Sequence, residues 1–124
     1  MARSTGEQEG SGAKAKIGDL VAIRFKAMYK ETVIDDCFKT PNAYYYRVGS
    51  ENVIRGLDLA VQNMRVGDRW SLKVPPNLAF GDKGVKPSPG KPRIPGGATL
   101  DYEVFFEIYP GAEDDILERD GEKQ

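Results

Sequence analysis

Val53-Ile54-Arg55-Gly56-Leu57-Asp58-Leu59-Ala60-Val61-Gln62-Asn63-Met64 decides the fold, because no other stretch of the chain reads as an amphipathic helix. Val53, Leu57, Ala60, Val61 and Met64 recur at helical spacing and form a stripe wide enough to bury. Arg55, Asp58, Gln62 and Asn63 occupy the other side. Ser50 and Asn52 are candidate N-caps, and Gly67 supplies a stop. Gly56 is costly within a helical turn, so the helix proper is expected near residues 57–63.

On both sides of this segment the apolar residues alternate with period two. Leu20 to Tyr29 puts Val21, Ile23, Phe25, Ala27 and Tyr29 on one face, and Ala22, Arg24, Lys26 and Met28 on the other. That is a half-exposed strand. Residues 30–43 read as irregular. Tyr44 to Val48 is an aromatic-rich strand, Arg69 to Val74 alternates cleanly, and Ala98 to Tyr109 is the longest strand. The fold class that follows is α+β: one short helix lying across the concave face of a single sheet. Between the last two strands, Pro75 to Gly97 holds six of the eight prolines and five of the fourteen glycines. A loop of that length in so small a domain is read as functional.

Composition narrows the chemistry. The 124 residues make one domain, with 18 basic against 19 acidic side chains, one cysteine and no histidine. Balanced charge gives no field toward nucleic acid or an anionic membrane. A nucleic-acid interface through the tyrosines would lack the basic groove it needs. No apolar run reaches the ~20 residues of a membrane span. Without histidine, Ser-His-Asp and Cys-His nucleophile activation and the usual zinc sites are out of reach. Cys37 cannot form an internal disulfide, which suggests a reducing, cytoplasmic setting, with a nucleus or organelle left open. Residues 1–16 read as a disordered tail and residues 111–124 as an acidic tail, leaving 17–110 as the folded domain.

Five motifs in order carry a family resemblance: Tyr46-x-Val48-Gly49, Val53-Ile54-Arg55-Gly56, Met64-x-Val66-Gly67, Leu78-Ala79-Phe80-Gly81, and Ile94-Pro95-x-x-Ala98-Thr99-Leu100-x-Tyr102. Over about residues 17–109 the chain resembles the FKBP-type peptidyl-prolyl isomerases, the macrolide-binding immunophilins. The resemblance implies a strongly bent antiparallel sheet wrapped around one short helix, with a pocket between them. It implies catalytic positions at Phe25, Asp35, Tyr44, Val53, Ile54, Leu57, Phe80 and Tyr102, and substrate-binding positions at Ile34, Asp36 and Ile94. Asp35 is favoured over Asp36 as the pocket carboxylate because Ile34-Asp35 aligns with the family's aromatic-Asp pair.

The same resemblance implies a monomer without a cofactor, acting on Xaa-Pro segments of client proteins and assisting their folding. Departures from the family bear on its ligands. Leu57 stands where the family carries a pocket-floor Trp, Phe80 and Phe25 stand where it commonly has Tyr, and Asn52 replaces a Glu. These changes keep the apolar shape and remove polar handles, so binding of macrolides such as tacrolimus or rapamycin is expected to be reduced. The alternative is a catalytically weak binding module or chaperone that uses the pocket rim and the 82–97 loop.

Overall fold

The computed structural model describes residues 12–110 and the backbone of Ala2–Ser4. Its strands are β1 (Ala2–Ser4), β2 (Leu20–Tyr29), β3 (Thr32–Asp36), β4 (Tyr44–Arg47), β5 (Arg69–Val74) and β6 (Leu100–Ile108), with one helix, α1 (Arg55–Asn63), between β4 and β5. The order across the antiparallel sheet is β1-β5-β6-β2-β3, and β4 also pairs with β2. β3 and β4 occupy the same edge of β2 at different heights, Lys26 to Tyr29 for β3 and Leu20 to Ile23 for β4. The bent antiparallel sheet wrapped on one short helix is therefore the architecture.

Alternation explains the central strands. Leu100, Tyr102, Val104 and Phe106 of β6 are buried, as are Leu72 and Val74 of β5. Leu57, Ala60 and Val61 of α1, and Met64 directly after it, meet them. Burying each large aliphatic side chain contributes roughly 2 kcal/mol, so the helix is held chiefly by this stripe. Gly56 fits the same contact. A Cβ there would lie 2.5 Å from Val74 Cγ1 and 3.2 Å from the Leu78 carbonyl. The helix approaches β5 closely because the side chain is missing, and that closeness offsets the poor helix propensity.

Both helix signals are displaced. The residue before the first turn is Ile54, with no side-chain cap, so Ser50 and Asn52 do not cap. The helix ends at Asn63, and Gly67 (φ +95°) serves a later turn, in which Asp68 N–H donates to the Arg65 carbonyl. Residues 30–43 are not wholly irregular, since β3 forms a hairpin with β2 through Lys30-Glu31. Lys30 adopts φ +54°, a conformation that sequence patterns signal with Gly or Asn rather than Lys.

The N-terminal expectation also differs from what is described. Ala2–Ser4 pairs with Leu72 to Trp70, Lys14 bridges to Arg65, and Ala15 is buried. An open β5 edge offers unpaired backbone groups that even a polar segment can satisfy, which composition does not reveal. The expected acidic tail at 111–124 and residues 5–11 lie outside the described residues.

The Pro-rich loop is ordered by its own backbone. A 3-10 turn at Pro76–Leu78 leads to Gly81, whose N–H donates to the Pro76 carbonyl. Beyond it, Val85 and Ile94 exchange two backbone hydrogen bonds, as do Ser88 and Lys91. At the neck of this hairpin Gly84 (φ +64°) packs so closely that a Cβ would sit 2.1 Å from the Ile94 carbonyl oxygen. Gly84→Ala is expected to cost about 2–4 kcal/mol, from the left-handed backbone and the clash together. A urea titration showing a loss below about 0.5 kcal/mol would contradict this packing.

Candidate functional site

One cavity of about 680 Å³ opens between α1, the residues just before it and the concave face of the sheet. Phe25, Asp35, Tyr44, Val53, Ile54, Leu57, Phe80 and Tyr102 all line it. Strand pairing places two of these by register. Phe25 on β2 lies two residues from Ala27, the residue opposite Tyr102 on β6, so the two rings share a face. They stack at 5.9 Å and 29°. Tyr44 meets Phe25 edge-on at 5.9 Å and 89°, and stacks on Tyr46 at 6.2 Å. A continuous aromatic wall thus runs from β6 through β2 to β4. Leu57, 1 % exposed, contributes the helix side.

Three of the expected positions are not brought to the cavity. Ile34 is the extra residue at a β-bulge, between the pairs Ala27↔Asp35 and Met28↔Val33, and packs against the core. Asp36 follows Asp35 along the strand and so takes the opposite face. It pairs with Lys26, and its carboxylate accepts the Phe38 N–H at 3.0 Å. Ile94 is buried by the hairpin bridge to Val85. Asp35 itself stands at the rim, where its Oδ1 accepts the Asp36 N–H and its Oδ2 faces Lys91 Nζ at 3.2 Å.

Cys37 and Asp58 are among the lining residues that had no site role in the sequence reading. Cys37 lies in the wall, its Sγ accepting the Phe25 N–H at 3.0 Å. Asp58 was assigned to the solvent side of the helix, and it is only 7 % exposed. Its Oδ1 accepts from Tyr46 Oη at 2.9 Å and from the Gly49 N–H at 3.0 Å, and its Oδ2 accepts from Gln62 Nε2 at 3.0 Å. Asp58 therefore ties the end of the aromatic wall and the start of the 49–54 segment to the first turn of α1. A carboxylate in that turn is also favoured by the helix dipole. The signal available was Tyr46 two residues inside a strand, a buried phenol needing a partner.

The outer face of the sheet is covered as well. Arg24, half-exposed by the alternation rule, has a side chain only 18 % exposed. It pairs with Glu107 at 2.7 Å and donates to the carbonyls of Cys37 and Thr40 at 2.9 Å each. Arg69 sits over the rings of Phe38 (4.7 Å) and Phe105 (5.8 Å). These contacts fold residues 37–41 against the sheet and fix the position of Cys37 in the cavity wall.

Burial pushes the Tyr46 and Tyr102 phenols well above their ordinary value of 10.0, with the Asp58 charge adding for Tyr46 and the Asp35 charge for Tyr102. Burial likewise raises the Cys37 thiol above 9.0, so it is a protonated and unreactive thiol at neutral pH. For all three groups the folded state holds its proton longer than the unfolded state. Stability from these groups is fully present below pH ~9 and is lost as pH rises through the ordinary values toward the raised ones. Unfolding midpoints in urea are expected to be level from pH 7 to 8.5 and to fall by pH 10.5. Tyr46→Phe should flatten that fall, and an unchanged midpoint at pH 10.5 would contradict the burial of these phenols.

The model of the FKBP-type peptidyl-prolyl cis-trans isomerase family matches residues 11–107. The chain belongs to the FKBP-type peptidyl-prolyl cis-trans isomerase family. It is 39 % identical over 111 residues to the Arabidopsis thaliana photosynthetic NDH subunit of lumenal location 4, chloroplastic, covering 83 % of this chain and 51 % of that protein. It is 34 % identical over 103 residues to the Arabidopsis thaliana peptidyl-prolyl cis-trans isomerase FKBP16-3, chloroplastic, covering 82 % and 46 %. A 46 kDa FK506-binding nuclear protein of Spodoptera frugiperda is 38 % identical over 97 residues, covering 77 % and 22 %. The chain thus spans about half the length, or less, of these relatives. The crystal structure of AtFKBP13 superposes with a TM-score of 0.72 at 24 % identity, covering 86 % of this chain and 95 % of that one, and bears out the FKBP fold.

These relatives also correct the cytoplasmic expectation. Two relatives with chloroplastic names match most of the chain and point to an organelle rather than the cytoplasm. A lone cysteine cannot form an internal disulfide in any compartment, so its presence never discriminated between them.

Proposed function

We propose that this FKBP domain accelerates cis-trans isomerisation of Xaa-Pro peptide bonds in protein substrates, within an organelle of the chloroplast type. The observation that carries the reading is the aromatic wall Tyr102-Phe25-Tyr44 facing Val53, Ile54 and Leu57 across one cavity. The eight residues assigned to catalysis all contribute to that cavity, and Asp35 supplies a carboxylate at the sheet rim.

Isomerisation makes and breaks no covalent bond. Its barrier of ~18–20 kcal/mol arises because amide resonance is lost as the bond twists. The twisted amide has less charge separation than the planar one. A dry, apolar wall therefore favours it over the ground state, which is differential binding of the transition state. Each ~1.4 kcal/mol so gained is worth about tenfold in rate, so a few fixed contacts supply a large acceleration without an acid or base. The absence of histidine is compatible with this chemistry.

Relatives named for FK506 binding support macrolides as ligands of the same cavity. Reduced affinity is expected, because the Phe25 and Phe80 rings offer no hydroxyl to a ligand carbonyl. The test is a protease-coupled assay on a series of short Xaa-Pro peptides, with tacrolimus as competitor. Activity above background that the macrolide suppresses supports the proposal, and no catalysis at micromolar folded protein refutes it.

A further inference from the structure

We propose that the Tyr102 hydroxyl is the hydrogen-bond donor for a backbone carbonyl of the bound Xaa-Pro segment, a polar anchor set among the aromatic rings of the sheet. The inference rests on the isomerase reading above and assigns it a specific contact.

The aromatic wall offers few hydroxyls able to donate into the cavity, while Ser50 Oγ, buried and without a partner, belongs to the segment before α1. Phe25 and Phe80 have no hydroxyl. The Tyr44 hydroxyl donates to the Asn52 carbonyl at 3.3 Å, and the Tyr46 hydroxyl donates to Asp58 at 2.9 Å. Among the described residues the Tyr102 hydroxyl makes no hydrogen bond, although the residue is only 7 % exposed. What exposure it keeps is to the cavity that it lines. Asp35 is the nearby acceptor that could have taken its proton. Both Asp35 oxygens are engaged elsewhere, Oδ1 by the Asp36 N–H at 3.0 Å and Oδ2 by Lys91 at 3.2 Å.

The hydroxyl keeps solvent contact through the cavity, so a ligand that displaces that water must supply an acceptor or leave the hydroxyl unpaired at a cost. Here the stack against Phe25 fixes the ring, so the hydroxyl cannot turn away to find another acceptor. A peptide entering the cavity brings what is missing. Its backbone carbonyls lose water on entry and need a donor, and the residues around a proline supply acceptors without a competing proline N–H. Burial keeps the phenol protonated well beyond neutral pH, so the donor persists across the working range.

Tyr102→Phe tests the assignment with little disturbance of shape. Because the hydroxyl bonds nothing in the free protein, the thermal midpoint should stay within about two degrees. The kcat/KM on an Xaa-Pro peptide should fall about five- to tenfold, the value of one hydrogen bond to a neutral carbonyl. As a second readout, 3-fluorotyrosine placed at position 102 should change its fluorine shift when the peptide is added. Wild-type activity together with an equally active Tyr102→Phe overturns this inference and leaves the isomerase reading standing. An unmoved fluorine signal at saturating peptide overturns it as well. A wild-type protein that neither binds nor isomerises the peptide overturns both.

Discussion

Asp58→Ala is expected to destabilise the domain by about 3 kcal/mol, which at this chain length corresponds to a fall of roughly 10 °C in Tm. The substitution removes one acceptor and strands three donors: the Tyr46 hydroxyl, the Gly49 N–H and the Gln62 amide. Tyr46 is 2 % exposed, so its hydroxyl cannot recover the loss from water. Asp58→Asn keeps an oxygen for two of the three and should cost about 1 kcal/mol. The Tyr46→Phe/Asp58→Ala double variant should be less destabilised than the sum of the singles, since the phenol no longer lacks a partner. Urea unfolding of the four proteins measures this. Additive losses would mean that the Tyr46 contact contributes nothing.

Phe25→Ala is expected to lower kcat/KM on Xaa-Pro peptides by at least about thirtyfold, equivalent to ~2 kcal/mol of transition-state stabilisation. Phe25 is the ring that joins the wall, since it contacts both Tyr102 and Tyr44. Its removal opens the cavity to water and frees both neighbours to turn. The accompanying loss of stability should be about 2 kcal/mol, because the ring is only partly buried. Phe25→Leu retains bulk and should lose much less activity. If Phe25→Ala is folded and as active as wild type, catalysis does not occur against this wall.

How much of this was legible from sequence depends on which physical signal each element carries. β2 and β5 begin and end where the alternation does, because each presents an apolar face to the core. β3 was missed because Thr32-Val33-Ile34-Asp35-Asp36 is an edge strand with a bulge and a Lys-Glu turn, so neither alternation nor turn chemistry announces it. The same omission explains Asp36. Once Asp35 is known to lie in a strand and to face the cavity, its neighbour must point away. Ile94 was misplaced because the 82–97 loop folds back through its own bridges and takes Ile94 into the core. Asp58 was assigned to solvent on charge alone, although it is adjacent to Leu57 on the edge of the buried stripe. A buried carboxylate is legible only when its donors are known, and Tyr46 and Gly49 reach it from another element. Of the eight expected residues that line the cavity, Val53, Ile54, Phe80 and Tyr102 lie in the five motifs, and Phe25, Asp35, Tyr44 and Leu57 came from the family resemblance those motifs carry. Periodicity by itself would have marked most of them as core.

The central claim is that the folded protein itself interconverts cis and trans Xaa-Pro bonds in this cavity. Two-dimensional exchange NMR on a proline peptide with resolved cis and trans signals observes that event without a coupling protease. Uncatalysed exchange takes tens to hundreds of seconds. With substoichiometric wild-type protein, cis-trans cross-peaks should appear within mixing times of about a second, and they should vanish when Phe25→Ala replaces it. Exchange that stays at the uncatalysed rate at every concentration of folded wild-type protein would contradict the account.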